Sequence, residues 1–315
     1  MKNKIFYLII GMLGLQTVPC LANWQYSGEY TYNTSTYDDG GRVVVSVRAG
    51  ASYATAKTQN DVGGVIFSYC IDPVTGVVSP TEFDGSCAAG LNDAGTGNLG
   101  SVGMADFSGL TFSGGASVGW TLPERPQWRL EFGWDHFSDI DYNETPLFAG
   151  NMTLSGGEVI HAESGSVQST AVTDVVNFMA FYDFFDGLVK PVNTFIPYIG
   201  VGAGYADTKT VMNLADPWGD LSQVEDLTNF GTPNDNGVIQ FNQSKTNTTN
   251  VAGIIAAGVS YGLKNGLYLD MGVRVTYLPR VKYQLVNADD TRRLDWFSAK
   301  DLIYANAMLG LRFEF

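Results

Sequence analysis

Few residues in this 315-residue chain are equipped for chemistry, and its two histidines are the first to weigh. His136-Phe137-Ser138 is followed closely by Asp139 and Asp141. A base, a hydroxyl and carboxylates are the ingredients of nucleophilic ester hydrolysis, provided the fold aligns them. His161 lies between Glu158 and Glu163 in a polar stretch and reads as a surface position, with no metal expected. Gly200-Val201-Gly202-Ala203-Gly204 has the glycine content of a nucleotide-binding loop but the wrong spacing, and it reads as the interior of a strand, so no cofactor is expected.

A larger charged set recurs in a pattern. Arg42, Arg48, Arg129, Glu131, Asp135, Asp183, Asp270, Arg274, Arg312 and Glu314 all fall on the polar side of segments whose other side is apolar. In 303–315, for example, Ile303, Ala305, Ala307, Leu309, Leu311, Phe313 and Phe315 alternate with Tyr304, Asn306, Met308, Gly310, Arg312 and Glu314. Period-two alternation makes a strand with two unlike faces. Charge facing lipid near mid-membrane costs about 2–4 kcal/mol, so these charges point to an enclosed interior. In a barrel of about eight strands that interior is only wide enough to be filled by side chains. Acids and bases packed there satisfy one another as an ion-pair network that blocks a wide pore; a narrow conduction path is the alternative.

The segments that must position these residues are 42–53, 107–122, 127–135, 172–184, 195–206, 251–262, 267–278 and 303–315. Between them, long polar connections (57–106, 138–171, 207–249, 279–300) alternate with tight ones at 123–126, 185–191 and 264–266, the last holding the hairpin signal Asn265-Gly266. Alternating loop lengths predict an all-β, up-and-down antiparallel transmembrane β-barrel, most simply of eight strands, with long loops outside the cell and short turns in the periplasm. Closure removes every open sheet edge, which a bilayer demands. No run of roughly 18 apolar residues offers a spanning helix instead.

The first residues, Lys2 and Lys4, an apolar run 5–15 and small residues up to Ala22, predict a secretory signal peptide (1–22) cleaved after Ala22. Cys20 follows Pro19 where a lipoprotein signal wants a small residue, which argues against lipidation. Residues 23–40 are expected to form a periplasmic arm and 41–315 the barrel. Once Cys20 leaves with the leader, Cys70 and Cys87 remain, and two cysteines in an exported protein read as one disulfide stapling the first long loop; the alternative is two free thiols.

The segments Ser113–Trp120, Val176–Phe184, Pro197–Tyr205, Gly258–Gly262 and Leu267–Tyr277, with the closing Phe315, resemble the eight-stranded outer membrane protein A-like and opacity-protein barrels and the related surface antigens of intracellular alphaproteobacteria. The resemblance covers strands and not loops. It implies an outer-membrane location, and its terminal Phe313 and Phe315 resemble the signature read by the barrel assembly machinery. The family's appended peptidoglycan-binding domain is not expected, because the sequence ends with the last strand. His-x-Ser also resembles part of the site of some outer-membrane lipid A deacylases, whose remaining pattern is not evident here; adjacent Asp135-His136 does not supply the arrangement of omptin-like proteases.

Acidic residues dominate the first three long connections and account for the formal net charge of −14. Nucleic acid is therefore excluded as a partner, whereas a divalent cation or a basic host surface fits, as does simple solubility of long loops. The expected function is a structural or surface-interaction protein, antigen- or adhesin-like and not an enzyme, embedded among outer-membrane lipid and lipopolysaccharide with loops free for a host or surface ligand. The alternatives are a small porin and a lipid hydrolase using His136 and Ser138.

Overall fold

The structure, a computed structural model, describes residues 41–60, 65–71, 74, 78–80, 92–101, 106–144, 148–153, 159–164, 166–188, 190–215, 231–233, 239–241, 244–264, 266–286 and 293–315. In chain order its strands are β1 (Val43–Asn60), β2 (Val65–Ile71), β3 (Val78–Pro80), β4 (Asn92–Ser101), β5 (Phe107–Leu122), β6 (Arg125–Glu144), β7 (Phe148–Thr153), β8 (Val159–Ser164), β9 (Ser166–Asp183), β10 (Phe195–Ala215), β11 (Gly231–Pro233), β12 (Ile239–Phe241), β13 (Ser244–Lys264), β14 (Leu267–Val286) and β15 (Arg293–Glu314).

Each of the long strands β1, β5, β6, β9, β10, β13, β14 and β15 pairs antiparallel with two neighbours in that circular order. β1 closes the ring: Val47 stands opposite Ala116 of β5 on one side and Leu311 of β15 on the other. The result is a closed, eight-stranded, all-antiparallel barrel. Short connections gather at one end, the turn end. There Gly266 adopts φ 78°, and a Cβ on it would run into the Glu314 carbonyl.

The long strands run 16 to 22 residues, although roughly 9–11 tilted residues cross a bilayer. Side-chain polarity shows where the membrane ends. In the turn-end half the outward positions are apolar: Val43, Val45 and Val47 on β1, Phe132 on β6, Ile199 and Val201 on β10, Leu309 and Leu311 on β15. Aromatic residues bound this band, with Trp120, Trp128, Phe184, Phe195, Phe313 and Phe315 at the turn end and Phe112, Trp134, Tyr205 and Tyr277 at the other rim, as interfacial rings do.

Beyond the second rim the polarity inverts. Outward positions become Lys57, Asp139, Asp141, Lys209, Lys245 and Asn247, while Phe107, Ile140, Tyr142, Val167, Met212, Val281 and Phe297 turn in and are buried. The strands thus leave the membrane as a collar with the inside-out logic of a water-soluble barrel. Irregularities in register accompany the change at Thr55/Lys57 of β1 against β15 and at Phe137/Ile140 of β6, while β9 and β10 pass through it with unbroken alternation. Asp301 sits at the β15 irregularity with φ 52°.

The expectation of long irregular connections is corrected here. β6 continues to Glu144, β9 begins at Ser166, β10 runs to Ala215, β13 starts at Ser244, and β14 and β15 extend to Val286 and back to Arg293. Segment 57–106 contributes β2, β3 and β4, which join β7 and β8 in a separate five-stranded sheet, and the β11–β12 hairpin joins β10 through Ala215 and Gln240. Cross-strand hydrogen bonding gives such polar stretches a use for their backbone that apolar periodicity cannot reveal. The signal peptide, the arm and Cys87 lie outside the described residues, as does the Cys70 side chain, so the disulfide does too.

Candidate functional site

Inside the membrane-level half, alternation directs small and charged residues to the lumen. Small residues make the room: a Cβ on Gly200 would overlap the Phe181 ring, one on Gly202 the Met179 sulfur, and one on Gly258 or Gly272 the Tyr198 hydroxyl. The glycine run of β10 is therefore a packing groove.

Into this space project cations and carboxylates that balance one for one. At the turn end, Arg312 is fully buried, at 0% exposure, and reaches Asp270 at 2.9 Å, Asp183 at 3.5 Å and Glu314. Lys190 sits in the β9–β10 turn, folds back into the lumen and bonds Asp183 at 2.7 Å and Glu314 at 2.6 Å. Arg129 pairs with Glu131 at 2.6 Å and Asp183 at 3.3 Å, its guanidinium lying 4.4 Å over the Phe181 ring. Further up, Asp135 holds Arg48 and Arg274 at 2.7 Å each and accepts from Asn177. Ser117 joins the two clusters, accepting from Arg48 at 3.3 Å and donating to Glu131 at 2.6 Å.

Of the charged residues expected inside, all but Arg42 fall in this one network. Arg42 precedes β1, half-exposed, and its backbone N–H donates to Thr121. Lys190 is the member that strand alternation missed, because it comes from a turn. A cavity of about 40 Å³ remains, lined among others by Arg48, Arg129, Glu131, Tyr198, Asp270 and Arg274. By volume it has room for a few water molecules.

Above the ionic tier the lumen changes character. A hydroxyl layer comes first, with Thr173 bonded to Thr208 at 3.0 Å and to the Tyr304 hydroxyl at 2.9 Å. Rings then take over: Phe137 against Tyr304 at 4.2 Å, Tyr283 stacked on Phe297 at 4.2 Å, and Tyr142 bridging Phe297 and Phe107 at 5.8 Å to each.

The hydrolase candidates are on the outer wall, at the loop-end rim. His136 Nδ1 lies 2.9 Å from Asp174 of β9, which also accepts from Trp134 Nε1 at 3.2 Å. The acid beside the imidazole is thus Asp174, and neither Asp139 nor Asp141. Ser138 turns toward β5 instead: its hydroxyl contacts the Phe112 carbonyl at 3.0 Å and Thr111 Oγ1 at 3.1 Å. No hydrogen bond joins His136 to Ser138 among the described residues. The side chain of His161, in β8, lies outside the described residues, and no group of metal-ligating side chains occurs among those described.

Apolar outer wall, aromatic rims, closed hydrogen bonding and polar interior together define a transmembrane β-barrel of the bacterial outer-membrane type, and the outer membrane is where such a surface is stable. Solved structures of similar fold include outer membrane protein OprG from Pseudomonas aeruginosa, at 11% identity over 87% of this chain and 98% of that one with a TM-score of 0.36. Neisserial surface protein A is similar at 14% identity over 86% and 97%, with a TM-score of 0.30. The outer membrane protease OmpT from Escherichia coli is similar at 8% identity over 87% and 97%, with a TM-score of 0.25. No family model matches the chain, and no curated protein matches it in sequence.

Proposed function

We propose that the protein is a structural, surface-interaction component of the outer membrane: a plugged barrel holding a stiff collar and long acidic loops outside the cell. The observation that carries this reading is the filling of the lumen in two tiers, ionic at membrane level and aromatic above it. Either tier alone obstructs a continuous water column. The loops, rich in Asp and Glu, give the surface its specificity, and basic host surfaces or divalent cations are the partners their charge favours. Phe313 and Phe315 at the end of β15 serve barrel assembly, with lipopolysaccharide and outer-membrane lipid as the surroundings.

Planar-bilayer recording of the refolded protein tests the plug: no stable open level is expected, and a large, steady conductance would overturn it in favour of a small porin. Against the hydrolase stands the hydroxyl of Ser138, which bonds to β5 and not to His136. Hydrolysis of lipid A esters by the wild type that disappears in Ser138→Ala would reverse that reading.

A further inference from the structure

Two rows of like charge stand just above the loop-end rim on opposite sides of the barrel. On one side Lys300 of β15 lies directly between Lys57 of β1 and Arg280 of β14. On the other, Asp174 of β9 faces Asp207 of β10, with the His136 imidazole of β6 on its far side. Like charges facing one another across adjacent strands oppose folding, so each row calls for a counter-charge. The acidic row has donors within the protein, His136 and Trp134 on Asp174.

The basic row differs. Lys57 and Lys300 have no carboxylate within ion-pairing distance among the described residues, and Asp301, next to Lys300, instead accepts from the Tyr277 hydroxyl at 2.8 Å. Arg280 and nearby Lys282 have interactions of their own within the protein. The unshared positive charge therefore rests on Lys57 and Lys300, in a chain whose net charge is −14.

Height identifies what can reach it. Tyr277 precedes Arg280 by three residues, and Ile303 follows Lys300 by three. At about 3.3 Å per residue and a strand tilt near 40°, the row sits roughly 8 Å above the last lipid-facing ring. The headgroup layer occupies roughly 5–8 Å of each leaflet, and flexible lysine stems bring the ammonium groups into it. Two strand spacings of about 4.8 Å make the row roughly 10 Å long, the scale of a headgroup and not of a protein interface.

We infer that the β14–β15–β1 wall is a docking face for the phosphate groups of an anionic glycolipid of the outer leaflet. Lys57 and Lys300 make the direct contacts, and Arg280 adds to the field. The acidic wall opposite repels the same lipid, so it gathers on one side of the barrel. This rests on the reading of the loop end as the outward one.

The test titrates the folded protein in detergent with bis-phosphorylated lipid A and scores bound lipid by native mass spectrometry. Lys57→Gln/Lys300→Gln is expected to bind about 25-fold more weakly and Lys57→Gln alone about fivefold, from the worth of a surface lysine near anionic lipid. Asp139→Asn/Asp141→Asn, on the other wall, does not weaken binding. Dephosphorylated lipid A binds the wild type no better than the phosphorylated form binds the double variant, and equimolar inorganic phosphate does not compete. Equal binding by wild type and double variant, equal binding of the dephosphorylated lipid, or displacement by equimolar phosphate would each overturn the inference. Heat-dependent gel mobility separates the two readings: a wild type lacking a folded, fast-migrating band would undo the barrel itself, whereas lost lipid preference with that band intact undoes only the docking face.

Discussion

The two halves of the lumen solve one packing problem in opposite ways. At membrane level the barrel is apolar outside and ionic within; in the collar it is polar outside and aromatic within. Solvent explains the difference. Lipid solvates the outer wall of the lower half, so hydrophobic burial has little to gain by turning apolar residues inward, and cohesion there falls to hydrogen bonds and ion pairs. Water bathes the collar, so apolar side chains go in as they do in any soluble sheet. On β9 and β10 one unbroken alternation serves both regimes, the residue types on each face changing at the rim, whereas on β6 an extra residue after Phe137 resets which positions face inward.

The sharpest way to break this comparison is to strike the ionic tier. Arg312→Ala leaves Asp183, Asp270 and Glu314 short of a buried cation, and about 3–5 kcal/mol of unfolding free energy should be lost, read from urea titration in lipid bilayers. In the aromatic tier, Phe137→Ala opens a hole beside Tyr304 and is expected to cost about 3 kcal/mol by the same titration. The outer wall gives a paired test: Val201→Arg, facing lipid, should destabilise by about 2–4 kcal/mol, whereas Val211→Arg, at an outward collar position of the same strand, should change stability by less than about 0.5 kcal/mol. Equal penalties at the two sites would place the membrane boundary elsewhere. The smallest effect belongs to the layer between tiers, where Tyr304→Phe removes the hydroxyl bonded to Thr173 and should cost about 1 kcal/mol.

The membrane-level half was legible in the sequence because lipid on one side and side chains on the other enforce alternation. The outward Trp128, Phe132 and Trp134 and the inward Arg129, Glu131 and Asp135 of β6 follow from it directly. The collar was not legible. Past Phe137 an extra residue breaks the parity, so that Ile140 and Tyr142 point inward while Asp139 and Asp141 point out, and a period-two reading loses the strand. Lys190 escaped for another reason: a turn residue has no strand face, and only the folded turn shows it reaching Asp183 and Glu314. Asp174 was invisible as the partner of His136 because the pair is made by cross-strand register between residues far apart in sequence.

Lys190 has a consequence for how the barrel comes together. It hangs from the hairpin in the middle of the chain, yet one of its two carboxylates belongs to the residue before the last, and Arg312 on that final strand returns the link by reaching Asp183. A sheet that has not closed leaves charge stranded at both places, in an interior where stranded charge is heavily penalised. Closure is therefore cooperative in a strict sense: the middle of the chain and its end are each stable only in the presence of the other, and a nearly complete barrel has little of the stability of the finished one.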